Sequence, residues 1–142
     1  MLKRFPFWIW GAIITQLLTA AIHSVSFFVT PKPENDTEKQ LVDLMDSYKL
    51  DMGAGFHPSF GNMVTGLSLC FTFICLFAAL LNWHLKKKKL DPAIWKGVLL
   101  IEIVIFGAMF VEMAVFTFLL PIVCTALIFI FVCGSYSTVT NK

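Results

Sequence analysis

The sequence predicts an all-α polytopic membrane protein, an antiparallel bundle of four transmembrane helices with an extracytoplasmic amphipathic helix between helices one and two. Two observations carry this: 58% of the residues are hydrophobic against 14% charged, and the charges gather in one acidic segment and one run of four lysines. A soluble domain carries about 25% charged residues, so that class is excluded by composition. The formal net charge of +2 says little, because the two signs are segregated.

The first helix is expected over residues 7–29. A bilayer core of about 30 Å needs roughly 20 apolar residues in helix, and this block fits one crossing. A secretory signal would have an apolar core of only about 7–15 residues ending at a small-x-small site. The run here is longer and contains no Ala-x-Ala, so the first helix is read as uncleaved.

Residues 30–60 form the outer segment. Glu34, Asp36, Glu38, Asp43, Asp46 and Asp51 stand against Lys32, Lys39 and Lys49, a local net of −3. Pro31 and Pro33 hold the chain extended, and Thr37 with Gln40 matches a capping box. Leu41, Leu44, Met45 and Tyr48 then recur at helical spacing, which predicts a short helix over 38–50 with one apolar stripe, lying on the membrane surface or capping the bundle. Gly53, Gly55 and Pro58 predict a flexible or sharply turned return containing His57. The segment is either a packed surface helix with its loop or a lid over a cavity that opens outward.

The second helix is expected over 61–83, followed by a basic loop at 84–92. The last apolar run is too long for one crossing, since residues 93–134 in a single helix would reach about 63 Å. Pro121 belongs in the first turn of a helix, which divides the run into a third helix at 93–115 and a fourth at 118–136. By the positive-inside rule, Lys3, Arg4, Lys86, Lys87, Lys88, Lys89 and Lys142 place both termini and the lysine loop in the cytoplasm of a plasma (inner) membrane protein. Trp8, Trp10, Trp83 and Trp95 fall at the same interface. The lysine loop should also attract anionic headgroups, at about 1 kcal/mol per charge.

Ionisable residues within a span are expensive and commonly face the bundle interior, pair, or line a pathway. Counted along their helices, Gln16 and Glu102 both lie about 13 Å deep, while His23 at about 24 Å roughly matches Glu112 at about 28 Å. Gln16, Thr19 and His23 share one face of helix one. Helix two adds Asn62 and Thr65 at the outer level, then Ser68, Thr72 and Cys75 as a stripe of small residues that lets helices approach closely, within the chain or in a homo-oligomer. Two sites are therefore expected: an outward-facing cluster of His23, Glu112, Asn62 and His57, and a deeper pair of Glu102 with Gln16. Either can be a plain interhelical hydrogen-bond network or a place for ligand binding or proton transfer. A cavity above about 300 Å³ lined by His23 and Glu112 would favour binding or catalysis.

A metal is not expected, because His23 and Glu112 are too few ligands and His57 would have to supply a third. No cofactor motif occurs, and nothing resembles nucleic-acid recognition. Cys70, Cys75, Cys124 and Cys133 form no CxxC pattern and read as small apolar residues; Cys70 and Cys75 point about 140° apart.

The stretch PKPENDTEKQLVDLMDSYKLDMG followed by SFGNMVTGLSLCFTF resembles a family of small bacterial four-helix membrane proteins, DoxX-like in layout. His23, the TEKQLVDLM helix, Glu102 and Glu112 are the positions that match its pattern. The resemblance implies this fold and brings no established chemistry. Three functions stay open: a module that binds or helps transport a small apolar molecule or lipid, a non-catalytic subunit of a membrane complex, and an enzyme using a carboxylate with His23 as acid and base on a lipid-like substrate.

Overall fold

A computed structural model describes residues 4–29 and 32–139. Lys3, Pro31 and Lys142, used above for topology and for the extended linker, lie outside the described residues. The chain is all-helical: α1 (Arg4–Val25), α2 (Asp36–Ser47), α3 (Phe60–Lys86), α4 (Pro92–Phe116) and α5 (Leu119–Thr138), with a 3-10 turn at Ser26–Phe28 after α1. Four of these, α1 with its 3-10 turn, α3, α4 and α5, are long and apolar enough to cross a membrane.

The helix ends follow local chemistry. Asp91 caps α4 by accepting from the Ala93 N–H at 2.7 Å, with Pro92 as the first helical residue. α4 stops at Phe116, and α5 begins with Pro121 in its first turn, where its missing N–H costs no helical bond. The cap of α2 differs from the expected Thr37–Gln40 box. Asn35 is the N-cap: its Oδ1 accepts from the Glu38 N–H at 2.9 Å, and the Glu38 carboxylate accepts from the Glu34 N–H at 2.7 Å. The box thus starts two residues earlier, and α2 ends at Ser47 rather than residue 50. α3 runs three residues beyond the expected end, which carries His84 and Lys86 into its last turn.

The chain divides into two compact units, residues up to Ala20 with Ile74 onward, and Ala21–Phe73. In the first, α1, α3, α4 and α5 form an antiparallel bundle whose register is read from its contacts. α5 runs against α1: Phe131 lies over Gly11 and Trp8 over Gly134, where neither glycine has room for a Cβ. It also runs against α4, with Phe129 over Gly107 and Lys96 facing the Tyr136 ring. Phe5 meets Trp95 edge-on at 5.2 Å and Gln16 bonds Glu102 further along, so α1 and α4 run parallel. Ile9, Ala12, Ile13, Leu99, Phe106, Ile128 and Val132 make the buried core. In a bilayer such close packing, rather than escape from water, holds helices together.

The basic end of this unit is occupied by aromatics. Lys86 sits 4.5 Å above the Trp10 ring and Lys87 4.4 Å above Trp83. Half of the lysine run is thereby drawn onto indoles as cation–π partners.

In the second unit the return to α3 is an ordered hairpin. The Leu50 N–H donates to Pro58 O at 3.0 Å and the Met52 N–H to Phe56 O at 3.1 Å. Gly53, Ala54 and Gly55 turn it with φ of 77°, 53° and 81°. Two of these three left-handed positions are glycines, which adopt that conformation without a Cβ penalty.

Candidate functional site

Among the described residues the bundle core contains a buried polar cluster that three helices build. Gln16 of α1 and Asn82 of α3 are completely buried, and Glu102 of α4 is 5% exposed. Gln16 Nε2 donates to Glu102 Oε2 at 3.3 Å, and Asn82 Nδ2 donates to the same oxygen at 3.0 Å. Asn82 Nδ2 also donates to Gln16 Oε1 at 3.3 Å, which closes a triangle. One turn away on the same helices lie the apolar Ala12 and Ile13, Ala78 and Ala79, Leu99 and Phe106, with the buried hydroxyl of Thr19 on the other side of Gln16. Two acceptors of the cluster, Glu102 Oε1 and Asn82 Oδ1, have no partner among the described residues.

Chemically the triangle is a clamp. Each interhelical hydrogen bond in a membrane contributes about 0.6 kcal/mol on average and up to about 2. One carboxyl oxygen takes two amide donors from two different helices, so α1, α3 and α4 share a fixed register at this level.

Beside the clamp, between α3 and α4, lies a cleft of about 270 Å³ lined by Ile74, Phe77, Ala78, Leu81, Val98, Ile101, Glu102, Ile105 and Phe106. Glu102 is the one polar residue in its wall, and its carboxyl group turns away to Gln16 and Asn82. Residues 98–106 of α4 make the cleft about 12 Å long. Its rim residues Phe77 and Ile101 are more than half exposed, so it opens sideways from the bundle.

The sequence brings Gln16 and Glu102 together by depth, and the structure joins them. The members of the expected outward cluster are divided between the two units. Glu112 is exposed on α4. In the second unit Asn62 is exposed too, and its backbone N–H is taken by Ser59 Oγ at 3.2 Å. His57 Nδ1 stands 3.9 Å from Asp51 Oδ1 with both side chains largely exposed, a surface contact of little energetic weight. His23 is half-buried, packed edge-on against Phe71 at 4.9 Å and Phe27 at 5.5 Å. Among the described residues its Nε2 has no partner, nor has Thr72 Oγ1 of the same unit. No hydrogen bond among the described residues links His23 to Asn62 or His57.

Asn82 was not expected from the sequence. Counted from the expected helix end at residue 83 it falls at the membrane interface, beside Trp83 and His84. α3 in fact reaches Lys86, which moves Asn82 inward by about one turn. The signal that identifies it is chemical: an amide is the complementary donor and acceptor for a buried carboxyl and a buried glutamine.

Three hydroxyls of this unit serve their own helices. Thr15 Oγ1 donates to Gly11 O at 2.8 Å, Thr125 Oγ1 to Pro121 O at 2.8 Å and Ser135 Oγ to Phe131 O at 2.8 Å. The cysteines are free, and no group of three or more His, Cys, Asp or Glu side chains suited to a metal occurs among the described residues. No protein-family model matches the sequence, and neither a curated protein nor a solved structure matches it.

Proposed function

We propose that this integral membrane protein is a non-enzymatic lipid-binding bundle that takes one alkyl chain of a membrane amphiphile into the cleft between α3 and α4. The cleft itself carries this reading. Its walls are aliphatic and aromatic, and it opens sideways between two helices that are long and apolar enough to cross a membrane. Its volume sits just below the roughly 300–1,000 Å³ of pockets for drug-sized ligands, which suits a chain segment better than a ring system. The clamp then has a supporting role: it holds α3 and α4 at the spacing that keeps the cleft open.

A second reading has its own observation. Because the Glu102 carboxyl is engaged with Gln16 and Asn82 instead of facing the cleft, the cluster also suits a purely structural bundle, a subunit whose polar residues lock its helices. In both readings the protein crosses a plasma membrane four times, with the lysine loop on the cytoplasmic face. The exposed Lys88 and Lys89 are then the pair left to meet anionic headgroups.

The test uses vesicles of phosphatidylcholine and phosphatidylglycerol doped with a phosphatidylcholine carrying a mid-chain diazirine, with adducts mapped by mass spectrometry. Ile101 and Val104 are similarly exposed on α4, and only Ile101 lines the cleft. Binding predicts labelling concentrated at Phe77, Ile101 and Ile105 over Val104, and its loss in Ala78→Leu, which fills the cleft. Labelling that follows exposure alone supports the structural reading.

A further inference from the structure

The face of α2 that the protein leaves uncovered has a definite shape. At about 100° per residue, Leu44, Tyr48 and Leu41 fall within about 60° of one another around the helix. All three are more than half exposed. Met45 and Val42 come next around the helix and are half-buried, on the side that meets α3. There α2 approaches the first turn of α3 so closely that a Cβ on Gly61 would lie 2.9 Å from Asp46 Oδ1 and 3.3 Å from Met45 O. Lys39 and Asp43 point about 130–170° away from the exposed apolar stripe, while Asp46 stands with Met45 on the side of Gly61. The helix therefore has three sides: one packed on α3, one apolar and bare, and one charged.

Its location identifies the cover. Gly61 belongs to the first turn of a membrane-spanning helix, so α2 is held at a membrane boundary. The hairpin bonds from Leu50 and Met52 to Pro58 and Phe56 fix the short connection from α2 to α3 and so limit its roll. The segments that flank it carry further exposed large apolar side chains, Phe28, Val29, Met52, Phe56 and Phe60. The bare stripe thus has exposed apolar side chains on the segments before and after it.

We propose that α2 is a membrane-surface helix whose Leu41, Leu44 and Tyr48 are seated in the headgroup and upper acyl layer of the bilayer, with Lys39 and Asp43 turned to water. An interfacial helix of this kind places its apolar face about 5–10 Å into that boundary. The bilayer, and not another protein, is the occupant.

The test is spin-label accessibility in the full chain, reconstituted in phosphatidylcholine vesicles, on a background with the four native cysteines replaced by alanine. Nitroxides at Leu41→Cys, Leu44→Cys, Lys39→Cys and Asp43→Cys sample exposed positions. Expected is preferential collision with oxygen at 41 and 44 and with a water-soluble nickel chelate at 39 and 43. Access of the nickel chelate to all four overturns the proposal. So does exclusion of both reagents at 41 and 44, which would place a second copy or a protein partner on the stripe. Should the cysteine-free background fail to fold, the wild-type chain is photolabelled with a phosphatidylcholine carrying its diazirine near the glycerol. Adducts on Leu41, Leu44 and Tyr48 are expected, and their absence while Phe60 is labelled overturns the proposal.

Discussion

At the scale of single residues, Glu102 is the most informative side chain, because one of its oxygens accepts from two helices at once. Glu102→Ala removes that acceptor and leaves Gln16 and Asn82 with unmade bonds inside the bundle. Losing a buried partner costs about 1–3 kcal/mol. Glu102→Gln keeps an acceptor oxygen on a side chain of the same shape, and should lose less than Glu102→Ala. Unfolding in mixed micelles against rising detergent denaturant measures both, and equal losses would show that the oxygen is not what matters. The double variant with Asn82→Ala should lose less than the sum of the two single losses, by the roughly 0.6–2 kcal/mol of one intramembrane hydrogen bond. Strict additivity would mean that the triangle is not energetically coupled.

At the scale of the helix, the α1–α5 contact is a pair of reciprocal notches. Trp8 and Phe131 each cover a glycine on the opposite helix, and a Cβ at Gly11 or Gly134 would run into the ring. Gly134→Leu should therefore destabilise the bundle by about 1–3 kcal/mol through overpacking. Gly97→Ala, on α4 with no atom within 4 Å of the new Cβ, should be neutral or stabilising by up to about 1 kcal/mol. Thermal unfolding of the two variants decides it, and equal melting temperatures would refute the notch. These elements show what the sequence can convey. Four spans were legible because apolar length is a one-dimensional property, and the turn before Pro121 because proline constrains its own backbone. The Gln16–Glu102 pair was legible because two parallel helices that start near one level keep their depths matched. Asn82 was not, since an antiparallel helix enters with its own offset and α3 overruns its apolar block by one turn. Depth alone does not say which way a side chain faces, and Glu112 is exposed on α4. The cap of α2 moved because Asn35 and Glu38 form an equivalent box two residues earlier, satisfying the Glu38 and Glu34 N–H groups in place of those a Thr37–Gln40 box would take.

At the scale of the whole molecule, the segregation of charge along the chain is the basis of the proposed topology. Acidic α2 and its hairpin precede α3, while the lysine run closes it. A single crossing by α3 puts its two ends on opposite faces of the membrane, and a run of lysines is retained on the cytoplasmic face far more readily than a segment of net negative charge. Cysteines introduced singly at Ser47 and Lys88, both exposed, report on the two ends if the native cysteines are first replaced. In cells treated with a membrane-impermeant maleimide, the label should reach Ser47→Cys at once and Lys88→Cys only after the membrane is opened. The charge argument makes a stronger demand as well. Two of the four lysines hold tryptophans at that end of the bundle, so replacing Lys88 and Lys89 by glutamate removes topogenic charge while leaving the Lys86–Trp10 and Lys87–Trp83 contacts in place. If the lysine run sets orientation, that variant should show a mixed population in which a fraction of chains exposes residue 88 and hides residue 47. If the aromatic contacts set it instead, orientation should survive that change and give way when Trp10 and Trp83 are removed.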